Sequence, residues 1–310
     1  MTGEAEVSYQ ISFSKEVADA LRESRPIVAL ESTIISHGLP RPQNLEVARD
    51  VESIIRQEGV TPATIALLGG RVCVGLEPEE LVEIAEREDI VKASIRDLAF
   101  IISKKLNAAT TVAATSEIAA KAGIRFFATG GLGGVHLGAS QSFDESADLT
   151  ALSRIPITVV SAGVKSILDV GATLERLESY SVTVLGYQTD KFPGFYLIDS
   201  GFPIEHRVEN PKEAAEVVAA MDHSPRSPAL VIANPCSRPM EQKLHDELLA
   251  NAERAALAAG ITGKAVTPFI LEYFHKNSNG ESLRVNIEII KSNSKLAAKI
   301  AAEFAQLEQK

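Results

Sequence analysis

Three side chains able to do acid, base or amine chemistry stand beside strand-like runs in this sequence. Glu31 closes the run Pro26 to Leu30 (PIVAL) and is followed by Ser32-Thr33 and Ser36-His37-Gly38. Lys165, in SAGVKSILD, comes just after the run Ile157 to Val160 (ITVV), and Lys92 sits in the short apolar stretch DIVKASIRD. A carboxylate at the end of a buried strand is costly unless paired or protonated, which suits a general acid with a raised pKa. The alternative is a capping or salt-bridged glutamate. A strand, a Ser-Ala-Gly turn and apolar residues at helical spacing place Lys165 in the first turn of a helix, where the terminal field favours the neutral amine that attacks carbonyl carbons. Solvated surface lysines are the plain alternative for both Lys165 and Lys92.

Two further segments bear on the same chemistry. Thr129-Gly130-Gly131-Leu132-Gly133-Gly134-Val135-His136 follows the run Ile124 to Ala128 (IRFFA), and glycines there would let backbone N–H groups turn toward a ligand oxygen. The segment has neither the GK[ST] ending of a P-loop nor GxGxxG, so it does not signal a nucleotide cofactor, and a structural turn is its competitor. Asp144, Glu145 and Asp148, with Ser142 and Ser146 among them, offer oxygens to a hard divalent cation, or form a solvated capping loop. Asn234-Pro235 ends another run and reads as a turn. The histidines show no HExxH spacing and there is no GxSxG elbow, so zinc hydrolysis and a serine triad are unsupported. Two amines, one carboxyl group, an acidic loop and glycines at strand ends fit carbonyl chemistry on a small phosphorylated substrate.

The elements that must position these residues alternate. Strand-like runs fall at Pro26 to Leu30, Thr64 to Leu68, Ile124 to Ala128, Ile157 to Val160, Val182 to Gly186 and Ala229 to Ala233. Helical patterns cover Asn44 to Gln57, Leu98 to Lys105 with Asp97 as N-cap, Thr111 to Ala122, Pro211 to Met221, Glu241 to Ala259 and Ser282 to Leu307. This predicts an α/β fold of three layers, α/β/α, with a mostly parallel central sheet. Thr64 to Gly75 reads as a hairpin turned at Gly69-Gly70. No linker or repeat divides the chain, which is read as one catalytic domain over residues 1–310. The helices after Ala233 lack an intervening strand and should cross a sheet face or a subunit boundary.

A net charge of -10 and a pI near 5.2 argue against nucleic acid or an anionic membrane as partner. Cys73 and Cys236 are far apart with no metal-type spacing, consistent with a reduced, cytoplasmic protein. The N-terminal MTGEAEVSYQISFSKEV is too polar for a signal peptide, no run approaches a membrane span, and the C-terminal EQK is no address signal.

VALESTIISHGLPRPQN, NAATTVAAT, FATGGLGGVH, SADL, SAGVKSILD and TPFIL, in this order, resemble the pseudouridine-5'-phosphate glycosidase family over nearly the whole chain. The resemblance implies a homotrimer, a divalent metal, usually manganese, and reversible cleavage of a C–C glycosidic bond to uracil and ribose 5-phosphate. Carried over by motif, Lys165 would be the nucleophile that forms a Schiff base with the anomeric carbon, and Glu31 the proton donor for ring opening. Lys92 and Val112 would contact substrate, as would Ser146, Ala147 and Asp148 and the segment Thr129, Gly130 and Gly131. Asn286 would lie near the base, and Asp144 would be the metal ligand.

Several positions depart from the family pattern. Leu137 and Leu197-Ile198 stand where arginine and Thr-Arg are usual, Cys236-Ser237-Arg238-Pro239 follows Asn234-Pro235, and Leu271 to Gly280 (LEYFHKNSNG) is rewritten. Glu145 replaces an apolar residue. A C-ribosylating synthase acting on an aromatic natural-product acceptor is therefore the second reading. A non-catalytic sugar-phosphate binder is a third, of a different class.

Overall fold

The computed structural model describes residues 9–165, 167–221, 228–261 and 266–308, with the side chains of 267 and 268 also left aside. Part of the N-terminal stretch, the last two residues, Ser166 of the Lys165 motif and the first side chains of TPFIL therefore lie outside the described residues. The strands are β1 (Ile11–Phe13), β2 (Ile27–Glu31), β3 (Thr61–Leu68), β4 (Arg71–Val74), β5 (Val91–Ala93) and β6 (Ala108–Thr110). They continue as β7 (Phe126–Ala128), β8 (Thr158–Ser161), β9 (Thr183–Tyr187), β10 (His206–Val208) and β11 (Leu230–Ala233). One sheet joins them in the order β1-β4-β3-β2-β7-β8-β11-β9-β10, with β6 pairing β3 and β5. Pairing is parallel except where β3 meets β4 and β6, so the predicted mostly parallel sheet and the hairpin at Gly69-Gly70 are both present.

The helices through the first half are α1 (Lys15–Arg22), α2 (Gln43–Gln57), α3 (Pro78–Glu86), α4 (Leu98–Lys104), α5 (Val112–Lys121), α6 (Ala139–Ser142) and α7 (Ala147–Leu152). Those that follow are α8 (Val170–Ser179), α9 (Pro211–Met221), α10 (Gln242–Ala258), α11 (Val266–Asn277) and α12 (Glu281–Glu308). Alternation along the strands divides the core in two. Ile27 and Ala29 of β2 join a cluster with Ile118 of α5, while Val28 and Leu30 join Val51 and Ile55 of α2 and Ile290, Ile300 and Phe304 of α12. A strand buried on both faces must be apolar at every position, which is why these runs read as continuous. The result is the three-layer α/β/α architecture. The last helix, α12, does cross a sheet face, packing on α2, α9, β7 and β8.

Two local expectations are revised. Ser161-Ala162-Gly163 does not turn into a helix. Instead the backbone runs on beside the glycine segment, with Ala162 N–H donating to Gly130 O at 3.0 Å, Leu132 N–H to Gly163 O at 2.9 Å and Lys165 N–H to Leu132 O at 3.2 Å. The next helix, α8, starts only at Val170, capped by Asp169, whose side chain accepts from Ala172 N–H at 2.9 Å. Lys165 thus lies on an irregular segment between β8 and α8, and the helix-terminus argument does not apply to it. Asp97 does stand at the N-cap position of α4, but its side chain serves the short 3-10 turn Ile95–Asp97 before it, accepting from Ser94 N–H at 3.0 Å.

Candidate functional site

Parallel strands β2, β7 and β8 are neighbours, so the residues that follow them meet at one edge of the sheet. Glu31 ends β2, Thr129 follows β7 and Lys165 lies beyond β8. Thr129, fully buried, donates its hydroxyl to Oε1 of Glu31. Glu31 is also within electrostatic reach of Lys165, Asp148 and Lys92. Burial pushes its carboxyl above the usual range, and this outweighs the opposing pull of Lys165, the Thr129 hydroxyl and Lys92. A mostly apolar cavity walled by Leu30, Ile34, Leu39, Val47 and Ile290 abuts Glu31.

Lys92, at the middle of the short strand β5, enters the same field. Partial burial and the charge of Lys165 push its ammonium below the ordinary lysine range, against the attraction of Glu31 and Asp148. His37 is pushed toward its neutral form by burial and by Lys92 and Arg41. Glu31, Lys92 and Lys165 are thus within electrostatic reach of one another.

The glycine segment is held rather than open. Leu132 N–H is bonded to Gly163 O, and Gly133 N–H donates to Asp148 Oδ2 at 2.9 Å, so these two donors are spent inside the protein instead of cradling a ligand. The other oxygen of Asp148 accepts from Ala113 N–H at 2.9 Å, in the first turn of α5 beside Val112. Asp148 therefore ties the glycine segment to the helix that begins with Val112. Ser146 caps α7, its side chain accepting from Asp148 N–H at 3.2 Å, and Ala147 is the first residue of that helix. A side chain at Gly133 would collide with Ser146 and Asp148.

Gly130 and Gly131 face two side chains from distant elements. Asn286 of α12, nearly buried, has its Oδ1 3.7 Å from where a Cβ on Gly130 would lie. Phe195, at φ 61°, covers Gly131, its ring 2.6 Å from the corresponding Cβ position. Neither Phe195 nor Asn293, which donates to Thr129 O at 2.7 Å, was among the residues singled out in the sequence. A non-glycine residue with positive φ carries no sequence mark, and an asparagine inside an amphipathic helix looks like any polar position.

The acidic loop does not act as a unit. Glu145 is ion-paired to Arg176 and Asp148 is committed to backbone donors, leaving Asp144 with Nδ1 of His136 at 3.9 Å. Among the described residues no group of three His, Cys, Asp or Glu side chains could hold a metal. One carboxylate is still a sufficient protein contribution for a hard cation that keeps most of its waters and meets substrate oxygens.

A carboxyl group within the field of two lysines at the carboxyl edge of a parallel sheet marks a site suited to proton and amine chemistry on a small polar molecule. The chain belongs to the pseudouridine-5'-phosphate glycosidase family of enzymes, and the family model described as Indigoidine synthase A like protein matches residues 16–303. It is 54% identical over 305 residues to the pseudouridine-5'-phosphate glycosidase of Salinispora tropica, covering 97% of this chain and 94% of that one. It is 51% identical to the protein of the same name from Frankia alni, covering 95% and 82%. Among solved structures it superposes on the prealnumycin C-glycosynthase AlnA in complex with ribulose 5-phosphate with a TM-score of 0.91 at 32% identity, covering 97% and 99%. An indigoidine synthase A-like protein from Thermotoga maritima gives a TM-score of 0.87 at 33% identity, covering 98% and 100%. Among the described residues no helix is long and apolar enough to cross a membrane.

Proposed function

We propose that the protein is a pseudouridine-5'-phosphate glycosidase that reversibly cleaves the C–C glycosidic bond to give uracil and ribose 5-phosphate. The observation that carries the reading is the Glu31 carboxyl group at the strand ends, bonded by the Thr129 hydroxyl and within the field of Lys165, with burial pushing its ionisation upward. In the cleavage direction Glu31 gives a proton to the ring oxygen as the sugar opens, and the Lys165 amine bonds to the anomeric carbon. The C–C bond then breaks with its electron pair passing to the uracil ring, which takes up a proton, while the nitrogen lone pair forms the imine. Water hydrolyses the imine, releasing ribose 5-phosphate and the free amine. In this reading Lys92 meets the sugar phosphate, Val112, Thr129, Gly130, Gly131, Ser146, Ala147 and Asp148 line the substrate, and Asn286 lies toward the base.

A divalent cation, manganese by family resemblance, would be held by Asp144. It would supply positive charge to substrate oxygens. The same reading makes the enzyme a cytoplasmic homotrimer working on small molecules.

The test is incubation with pseudouridine 5'-phosphate and manganese, followed by assay for free uracil. Its release supports the assignment. Large apolar side chains left exposed at Leu137, Phe143 and Ile198 favour a second reading, a C-ribosylating synthase with an aromatic acceptor. That reading is selected when no uracil appears but borohydride still traps ribose 5-phosphate on Lys165. Lys165→Ala must abolish turnover and adduct alike; retained turnover would make the imine mechanism wrong.

A further inference from the structure

We propose that Asn293 is a positioning residue for the proton donor, holding the Thr129 main chain so that its hydroxyl stays directed at Glu31; the proposal rests on the reading of Glu31 as the acid. Asn293 lies in α12 and is 1% exposed. Its amide hydrogens go to two successive carbonyls, Thr129 O at 2.7 Å and Gly130 O at 3.3 Å. Its oxygen accepts from Nδ2 of Asn234 at 2.9 Å, and Asn234 also donates to Ser292 Oγ at 3.1 Å. Only one orientation of the Asn293 amide meets two carbonyls with hydrogens and an amide donor with oxygen, so the group is fixed. Asn234 closes β11 next to β8, and its side chain is an anchor where its sequence suggests only a turn.

The consequence runs through Thr129. Its N–H is held by Val160 O at 3.0 Å and its C=O by Asn293, so both ends of the residue are pinned. A β-branched side chain has little rotameric freedom, and a pinned backbone therefore fixes where the hydroxyl points. Its target is Glu31 Oε1. The fold itself does not call for an amide at this place. Ile289, Ile290, Ala297, Ile300 and Phe304 already bury α12, and a polar network inside a core is expensive unless every member is used.

The experiment follows the carboxyl resonance of Glu31 by 13C NMR in glutamate-labelled protein, assigned with Glu31→Gln and titrated with pH. No substrate is needed, so failure of the glycosidase reading does not disturb it. A hydroxyl donating to the carboxylate favours the charged form, and losing that bond moves the titration upward. In Asn293→Leu the midpoint should rise by about half a pH unit or more, in the same direction as Thr129→Val, and the two changes should not add. Turnover, where measurable, should fall roughly 10- to 100-fold with KM little changed. Asn234→Ala, which leaves Asn293 in place but frees it, should shift the midpoint the same way by less, and serves if Asn293→Leu does not fold. A wild-type midpoint in these variants while Thr129→Val moves it overturns the proposal.

Discussion

Thr129 and Glu31 lie 98 residues apart in sequence, and the hydroxyl of the first is bonded to the carboxylate of the second. That bond favours ionisation of Glu31, as do Lys165 and Lys92, yet burial prevails and the group holds its proton above the usual carboxylate range. The site thus stores an acid at a cost to the fold.

The cost has a definite pH dependence. In the unfolded chain Glu31 ionises near pH 4.3, whereas the folded protein retains the proton to higher pH. Its contribution to stability is full below that unfolded value and is lost as pH rises through the raised folded one. Glu31→Gln carries no such loss, so thermal scans should show it gaining on the parent as pH is taken from about 4 to 8. Turnover should drop about 10²- to 10⁴-fold in the same variant. A stability difference that is flat across pH would show that Glu31 is not an acid held neutral by burial.

Much of this arrangement was visible before the structure. Runs such as Pro26 to Leu30 and Ala229 to Ala233 are apolar at every position because both faces of the sheet are covered, and α9 begins and ends where the pattern does. Strands β1, β6 and β10 span three residues each, too few to show a period. Val164, Ile167 and Leu168 mimic a helical stripe beside Lys165. No helix forms there because Lys165 N–H is bonded to Leu132 O and Leu168 N–H closes a turn on Lys165 O, a tertiary preference no local spacing records. Likewise Asn293 reaches Thr129 across 164 residues of chain, so its role could not be read from composition or periodicity.

Gly131 and Phe195 are sterically coupled. A Cβ on Gly131 would stand 2.6 and 2.8 Å from two ring carbons of Phe195 and 3.3 Å from Gly163 O. Phe195 cannot easily withdraw, since its N–H is bonded to Ala162 O at 3.0 Å and its ring packs edge-on against buried Tyr196. Gly131→Ala should therefore cost about 1–3 kcal/mol in denaturant unfolding. Adding Phe195→Leu should return part of that loss. Additive effects in the double variant would mean that the ring is not what excludes a side chain at Gly131.

Asp148 serves two backbone donors at once, Ala113 N–H and Gly133 N–H, each at 2.9 Å. An ionised carboxylate can accept both, whereas an asparagine can accept one and must turn its own N–H₂ toward the other. Asp148→Asn should lower stability by about 1–3 kcal/mol and reduce turnover further than the stability loss explains, because the glycine segment and the start of α5 separate. Urea unfolding together with initial rates checks this; a variant within about 0.5 kcal/mol of the parent would show that the bridge is dispensable.

The metal prediction turns on how few donors the acidic loop has to spare. Glu145 is paired with Arg176 and Asp148 with main-chain N–H groups, so Asp144 is the carboxylate left to bind a cation, with His136 at 3.9 Å beside it. A hard divalent ion bound by one carboxylate retains exchangeable waters and loses most of its protein affinity when that carboxylate becomes an amide. Asp144 is not part of the buried core, so Asp144→Asn should keep the parent melting temperature while weakening manganese binding, followed by the electron paramagnetic resonance signal of the free ion, by about tenfold or more. Manganese stimulation of uracil release should shrink in parallel. Unaltered manganese uptake by the variant would move the cation away from Asp144 and leave the loop a purely structural one.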